Sequence, residues 1–341
     1  MARPAMTPEP KNKPSALPPY ELVDTPDAWA ACLDAMTSTG RVALDIEANS
    51  LYAYRESVCL VQASTSERDY IIDPFAEFPL DGLGELLANP QIEKVFHASD
   101  YDLMLMKRQY GWEAQNLFDT MWAARMLGYK HMGLASFLKE FYGVNMTKRH
   151  QKANWGQRPL SHTMLCYAQR DTHYLLRLRD ALAAGLEERG LTEEAREIFA
   201  NVCRVPPLTR IFDPNGFWSM RGVRTMPKRA LPILKALYRF RDREAKRRDL
   251  PPFKVLTDPV LIQTSLRTPK TLEELAEIKG VTQRTIERVG KGMLRAVAQG
   301  RRAPVPRPPE EGRTSVPGVA SRYRKLAAWR KEEAKVRGVE S

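Results

Sequence analysis

Cysteine is scarce in this chain, and so is any long apolar run. Only four cysteines occur in 341 residues: Cys32, Cys59, Cys166 and Cys203. They are far apart and form no CxxC pair, which excludes a zinc ribbon and a disulfide framework. They read as reduced thiols of a cytosolic protein. No apolar stretch approaches the roughly 20 residues that span a bilayer, so no membrane partner is expected. The first 19 residues are polar and carry six prolines (Pro4, Pro8, Pro10, Pro14, Pro18, Pro19), with no apolar segment of the kind a secretory signal requires. With five histidines and no metal-ligand spacing among them, a histidine-based zinc site is excluded as well.

Acid is also scarce, but only in the back half. Residues 204–341 hold 32 Lys and Arg against 14 Asp and Glu, whereas residues 1–203 hold 21 against 27, so a total charge of +12 divides into +18 and −6. Solubilising surface charge does not by itself separate the signs this far. The asymmetry points to an acidic front half able to hold cations and a basic back half suited to a polyanion such as nucleic acid.

The front half is organised around Arg41-Val42-Ala43-Leu44-Asp45-Ile46-Glu47. An apolar run of this length reads as a strand. Side chains alternate on a strand, so Asp45 and Glu47 share one face while Ile46 enters a core. Two carboxylates on one face repel unless water or a cation lies between them. Around this strand the patterning predicts a short strand at Tyr20–Val23 and a helix opened by Thr25 as N-cap with Pro26 in its first turn. Strands follow at 58–63 and 70–72, joined by polar turns as an antiparallel meander. A helix at Leu80–Leu87, a buried strand at Lys94-Val95-Phe96, a helix from about Asp100 to Tyr110 and then an almost wholly helical stretch from Thr120 to Arg189 complete an α/β fold.

Two later segments carry acids that answer the first pair. His97-Ala98-Ser99-Asp100-Tyr101-Asp102 lies where a strand ends and a helix begins. Alone it is equally well read as a capped helix start, Ser99 the cap and Asp102 its partner. Tyr167-Ala168-Gln169-Arg170-Asp171 lies on a helix, where a four-residue spacing puts Tyr167 and Asp171 on one face. Alone it is an ordinary amphipathic helix. The ordered set is more specific than its parts: Asp-x-Glu, then His-x4-Asp, then Tyr-x3-Asp. It resembles the DEDD family of 3′–5′ exonucleases, in the branch with tyrosine in the third motif; where the sister branch has histidine, this chain has Cys166. The intervening Phe118-Asp119-Thr120, Gly133–Leu138 with Lys148, and Trp155-Gly156-Gln157-Arg158-Pro159-Leu160 resemble the ribonuclease D family within that branch. In the back half, Arg243-Glu244-Ala245, Leu250–Phe253, Pro269–Leu275 and Ile278-Lys279-Gly280-Val281 resemble an HRDC domain.

The resemblance implies a ribonuclease H-like mixed sheet with surrounding helices, followed by an all-α HRDC module. It divides the chain into a disordered tail (1–19), an exonuclease domain (20–205), a connector (206–226), an HRDC domain (227–300), a proline-rich linker (301–320) and a last helix (321–341). That last helix matches an earlier one: Leu326–Val339 aligned on Leu237–Leu250 is identical at six positions, which reads as the first helix of a truncated second HRDC-like repeat. The resemblance further implies that Asp45, Glu47, Asp102 and Asp171 bind two divalent cations, Mg²⁺ or Mn²⁺, with Asp45 bridging both and Asp100 a rival to Asp102. Tyr167 would orient the attacking water, and Asp119 would be structural. Lys148 and Arg158 in the front half, and Arg239, Arg243, Lys246 and Arg247 along one helix of the back half, are the expected RNA contacts; the interleaved Tyr238 and Phe240 are read as core. The expected activity is a cytoplasmic, monomeric 3′–5′ exoribonuclease trimming structured RNA such as tRNA precursors to nucleoside 5′-monophosphates. A DNA-directed exonuclease and a non-catalytic scaffold are the competing readings.

Overall fold

The structure, a computed structural model, describes residues 17–147, 149–207, 211–309 and 318–337. They form two compact units, one from 17–49, 57–207 and 323–337, the other from 50–56, 211–309 and 318–322.

The first unit is built on a six-stranded sheet. Strand β1 (Tyr20–Val23) precedes helix α1 (Pro26–Ser38), whose N-cap Thr25 accepts from the Ala28 N–H. Strands β2 (Arg41–Ala48), β3 (Val58–Ser64) and β4 (Asp69–Ile72) then run antiparallel to one another, as the short polar turns require. Helix α2 (Asp81–Ala88) returns the chain so that β5 (Glu93–Phe96) lies parallel to β2 on its other side. Helix α3 (Asp100–Tyr110) leads to β6 (Leu117–Asp119), parallel to β5. The spatial order is β1-β4-β3-β2-β5-β6, a ribonuclease H-like mixed sheet with β2 near its centre. Helices α4 (Thr120–Met126), α5 (Leu134–Tyr142), α6 (His162–His173), α7 (Leu175–Glu188) and α8 (Thr192–Cys203) cover it. Strand β6 is not apparent from sequence. Three residues are too few for a period, and it is a strand only because β5 offers its edge.

The alternation in the meander divides its two faces cleanly. Leu44, Ile46, Val61, Ala63, Tyr70 and Ile72 enter the main core. The opposite face presents Asp45 and Glu47 from β2, with Gln62 and Ser64 from β3, and α6 packs over it. Ile46 is therefore core and its two acidic neighbours share the other face, as the strand period predicts.

The second unit is all-α. Short turns at Gly216–Ser219 and Val223–Thr225 bury Phe217, Trp218 and Val223 against it. Helices α9 (Leu231–Arg247), α10 (Pro252–Val255), α11 (Asp258–Arg267), α12 (Leu272–Ala276), α13 (Gln283–Thr285) and α14 (Lys291–Arg302) follow, with a wide π-helical turn at Ile286–Gly290 leading into α14. Thr271 caps α12, accepting from the Glu274 N–H at 3.2 Å, and Glu274 returns its carboxylate to the Lys270 N–H at 2.7 Å, one residue before the cap. The stretch 50–56 joins this unit: the Tyr54 hydroxyl donates to Asp242 at 2.8 Å and the Tyr54 N–H to Asp249 at 3.0 Å. Helix α15 (Val319–Arg337) leaves Tyr323, Leu326, Trp329 and Val336 exposed. All four cysteines are free thiols, Cys32 and Cys59 buried and the other two partly so. Among the described residues no helix is long and apolar enough to cross a membrane.

Helices α9 and α14 approach so closely at Gly300 that a Cβ there would lie 2.4 Å from the backbone Cα of Ile233. Backbone cannot yield as a side-chain end can. Gly300→Ala is expected to destabilise the second unit by about 1–3 kcal/mol, read as a lower urea midpoint with an unchanged slope.

Candidate active site

The edge of the polar sheet face opens into a cleft of about 680 Å³ whose lining includes Asp45, Glu47, His97, Met132, Tyr167 and Asp171. Three elements deliver its acids. Strand β2 presents Asp45 and Glu47. Helix α6, started by Ser161 accepting from the Met164 N–H, presents Tyr167 and Asp171 one turn apart. Helix α3 presents Asp102, which is buried and donates a hydrogen bond to Asp45. The structure thus gathers Asp45, Glu47, Asp102, Tyr167 and Asp171 at one place, from segments more than 120 residues apart.

The turn before α3 explains how Asp102 reaches that place. Ala98 is left-handed, with φ +64°, a conformation a residue with a Cβ adopts at a cost. Asp119 holds it there. One carboxylate oxygen accepts from the N–H of Ala98 at 3.1 Å and from those of Met121 and Trp122 at 2.9 and 3.2 Å; the other accepts from the N–H and the hydroxyl of Ser99, both at 2.8 Å. One fully buried carboxylate therefore fixes the turn into α3 and caps α4. Ser99 donates its hydroxyl to Asp119 and makes no capping bond to its own helix. The reading of Ser99 and Asp102 as a simple cap pair is thereby set aside. Asp100 is held elsewhere, accepting from the indole N–H of Trp122 at 3.2 Å.

Crowding four carboxyls into a partly dry site raises their proton affinity. Burial pushes the Asp45 carboxyl up to about 7, against the hydrogen bonds from Ile46 and Asp102 that lower it. Burial, then the charges of Asp45, Asp171 and Asp102, push Glu47 up to about 10. Asp102 and Asp171 are raised well above the usual carboxylate range, again by burial first and by Asp45 second. Burial followed by Asp171, Glu47 and Asp45 raises the Tyr167 phenol, which also bonds Gln151. Tyr167 is therefore a hydrogen-bond donor at neutral pH and not a base. His97 is driven toward its neutral form by burial, and its Nδ1 lies 2.9 Å from the Thr120 hydroxyl.

The expected RNA contacts divide. Arg158 uses all five guanidinium donors within the protein: two to Asp73 (both 2.6 Å), and one each to the carbonyls of Cys59 (2.7 Å), Trp155 (2.9 Å) and Gln157 (2.8 Å). It ties the Trp155–Leu160 loop to β3 and has no donor left for a phosphate. Lys148 lies outside the described residues. On α9, Arg239, Arg243, Lys246 and Arg247 are exposed and their spacing puts them on one face. Arg241, between them in sequence, turns inward to pair with Asp258 at 2.6 Å. Phe240 is buried and Tyr238 packs against the same core.

Residues 20–187 match a family model for a 3′–5′ exonuclease, and residues 230–297 match the HRDC domain. Ribonuclease D of Granulibacter bethesdensis is 30% identical over 331 residues, covering 94% of this chain and 83% of that protein. The chain belongs to the ribonuclease D family. The crystal structure of the Escherichia coli family member, described as an exoribonuclease involved in structured RNA processing, superposes with a TM-score of 0.68 at 26% identity, over 95% of this chain and 86% of that one. The exosome complex component 10 homolog of Caenorhabditis elegans is 34% identical over 260 residues, but the chain spans only 29% of its length.

Exonucleases of this family use divalent metal ions, and the donors here fit them. All are carboxylate oxygens, the ligands hard cations prefer, and a cation would remove the repulsion that now raises their proton affinity. Among the described residues no three His, Cys, Asp or Glu side chains are closed on an ion as they stand. The acids are in a proton-sharing arrangement, with Asp102 donating to Asp45.

Two outcomes are expected. Replacing Asp119 with Ala strands buried donors at both helix starts, and should cost at least about 3 kcal/mol by chemical denaturation. Secondly, the metal-free folded site binds more protons than the unfolded chain, so stability is full at low pH and is lost as pH rises through the raised pKa values. The melting temperature in EDTA should therefore fall as pH rises from about 6 toward 10, through the Asp45 value near 7 and the Glu47 value near 10. Divalent ions should reverse the fall, and Asp45→Asn should flatten it.

Proposed function

We propose that this protein is a two-metal-ion 3′–5′ exoribonuclease that trims the 3′ ends of structured RNA, tRNA precursors among them, and releases nucleoside 5′-monophosphates. The observation that carries the reading is the convergence of three carboxyls and one protonated tyrosine on a single cleft, with a fourth carboxyl, Asp102, buried against Asp45. A single acid pair would be explained by capping or solvation. Four buried acids with raised proton affinity are a cost to the fold that cation binding offsets.

Asp45, Glu47, Asp102 and Asp171 would hold the ions, Mg²⁺ or Mn²⁺. When bound, such ions supply a water of lowered pKa, charge neutralisation at the phosphorus and stabilisation of the leaving oxygen. The chain's own residues supply the rest. Tyr167 keeps its proton and donates it as a hydrogen bond that orients the attacking water. Met132 and Leu134 give the cleft an apolar wall against which a terminal base can lie. Asp119 holds the turn that aims Asp102. In the second unit, Arg239, Arg243, Lys246 and Arg247 form a basic stripe suited to an RNA backbone, with an affinity that falls as salt rises.

The deciding assay supplies Mg²⁺ and compares a 3′-extended tRNA, single-stranded DNA and duplex DNA. Preferential release of 5′-monophosphates from the tRNA is expected. Asp45→Asn and Asp102→Asn should each lower kcat by at least about 10³-fold, while Asp100→Asn should retain most activity. Faster loss of DNA would favour the deoxyribonuclease reading, and binding without cleavage a scaffold.

A further inference from the structure

The polar layer between the sheet and α6 contains one residue that the site as described does not use. Gln62 is the cross-strand partner of Asp45, so the two side chains leave the sheet on the same face as direct neighbours. It is fully buried, and neither its amide nitrogen nor its amide oxygen finds a partner in the protein. A buried amide with both ends unpaired is unfavourable and rare.

The neighbours of Gln62 narrow what it serves. Its β4 partner is Ile71, and Leu60 precedes it on the same strand face; both are apolar. Two residues further along β3, Ser64 begins a network that is already closed. The Ser64 hydroxyl lies 2.6 Å from Asp69 and 2.7 Å from Thr172. Asp69 also accepts from Gln169 at 2.7 Å and meets His173 at 2.8 Å. Every polar group of that cluster on α6 has its bond, and the cluster fixes the rotation of the helix that carries Asp171. The end of the layer beside Asp45, the cross-strand partner of Gln62, is open.

We propose that Gln62 is a positioning residue for Asp45: its buried amide is held in reserve for the Asp45 carboxylate, and orients it when divalent ions occupy the site. This inference rests on the metal-ion reading above. It follows that the amide weakens the metal-free fold slightly and strengthens ion binding, a division of effects that a packing residue would not show.

The experiment is a titration of the full metal-free chain with Mn²⁺, following free Mn²⁺ by electron paramagnetic resonance, alongside thermal melts in EDTA. Four proteins are compared: wild type, Asp45→Asn, Gln62→Met and Gln62→Asn. Gln62→Met keeps the length and apolar bulk while removing the amide. It is expected to bind Mn²⁺ about tenfold or more weakly, with a melting temperature equal to or above that of wild type. Gln62→Asn keeps the amide at shorter reach and should fall between the two. Mn²⁺ affinity of Gln62→Met within twofold of wild type, while Asp45→Asn loses binding, overturns this inference alone. So does a Gln62→Met chain that melts well below wild type or fails to fold, because the amide would then be needed by the fold. Absence of Mn²⁺ binding by wild type overturns the metal-ion reading and the inference with it.

Discussion

Like charges held together in a place of low dielectric are the constraint on which this structure turns. Asp45, Glu47, Asp102 and Asp171 each carry a raised proton affinity because burial disfavours their charge, and for the last three the neighbouring acids add to it. Nothing in the local chemistry of these residues brings them together. The surrounding fold must do so, and much of the buried polar structure of the first unit serves that end. Asp119 holds the left-handed turn that aims Asp102. The Ser64–Asp69–Gln169–His173 cluster holds the helix that carries Tyr167 and Asp171. Arg158 ties down the loop that precedes that helix.

These supports share a feature. Each is a polar group that makes several hydrogen bonds, some of them to groups distant in sequence, where an apolar contact would carry no directional preference. Directional bonds fix rotation and register, which is what a metal site needs from its scaffold. Gln62 differs in being unpaired, and its place beside Asp45 gives that difference a reason. The second unit has no comparable demand. Its core is apolar, its one deep arginine is paired, and its exposed basic residues are spread along a helix face.

Much of this was legible in the chain itself. The strand period assigned Ile46 to the core and its acidic neighbours to the other face. Thr25 announced its helix, and charge composition separated the two halves. Other features had no signal. Three-residue β6 is set by the edge of β5. Arg158 reads as a phosphate contact, because sequence cannot show that Asp73 and three carbonyls use up its donors. Arg241 sits in a run of exposed basic residues and is nonetheless buried on Asp258. Gln62 is unremarkable until its register against Asp45 is known.

The sequence by itself determined which residue types are present, on which face of its own strand or helix each lies, and in what order the acidic motifs arrive, since these depend on spacings of two and of three to four residues. Only the tertiary structure decided which faces meet. The convergence of Asp102 on Asp45 and the placing of Gln62 beside Asp45 are contacts across more than fifteen residues, and such contacts are set by packing and register, not by any local period.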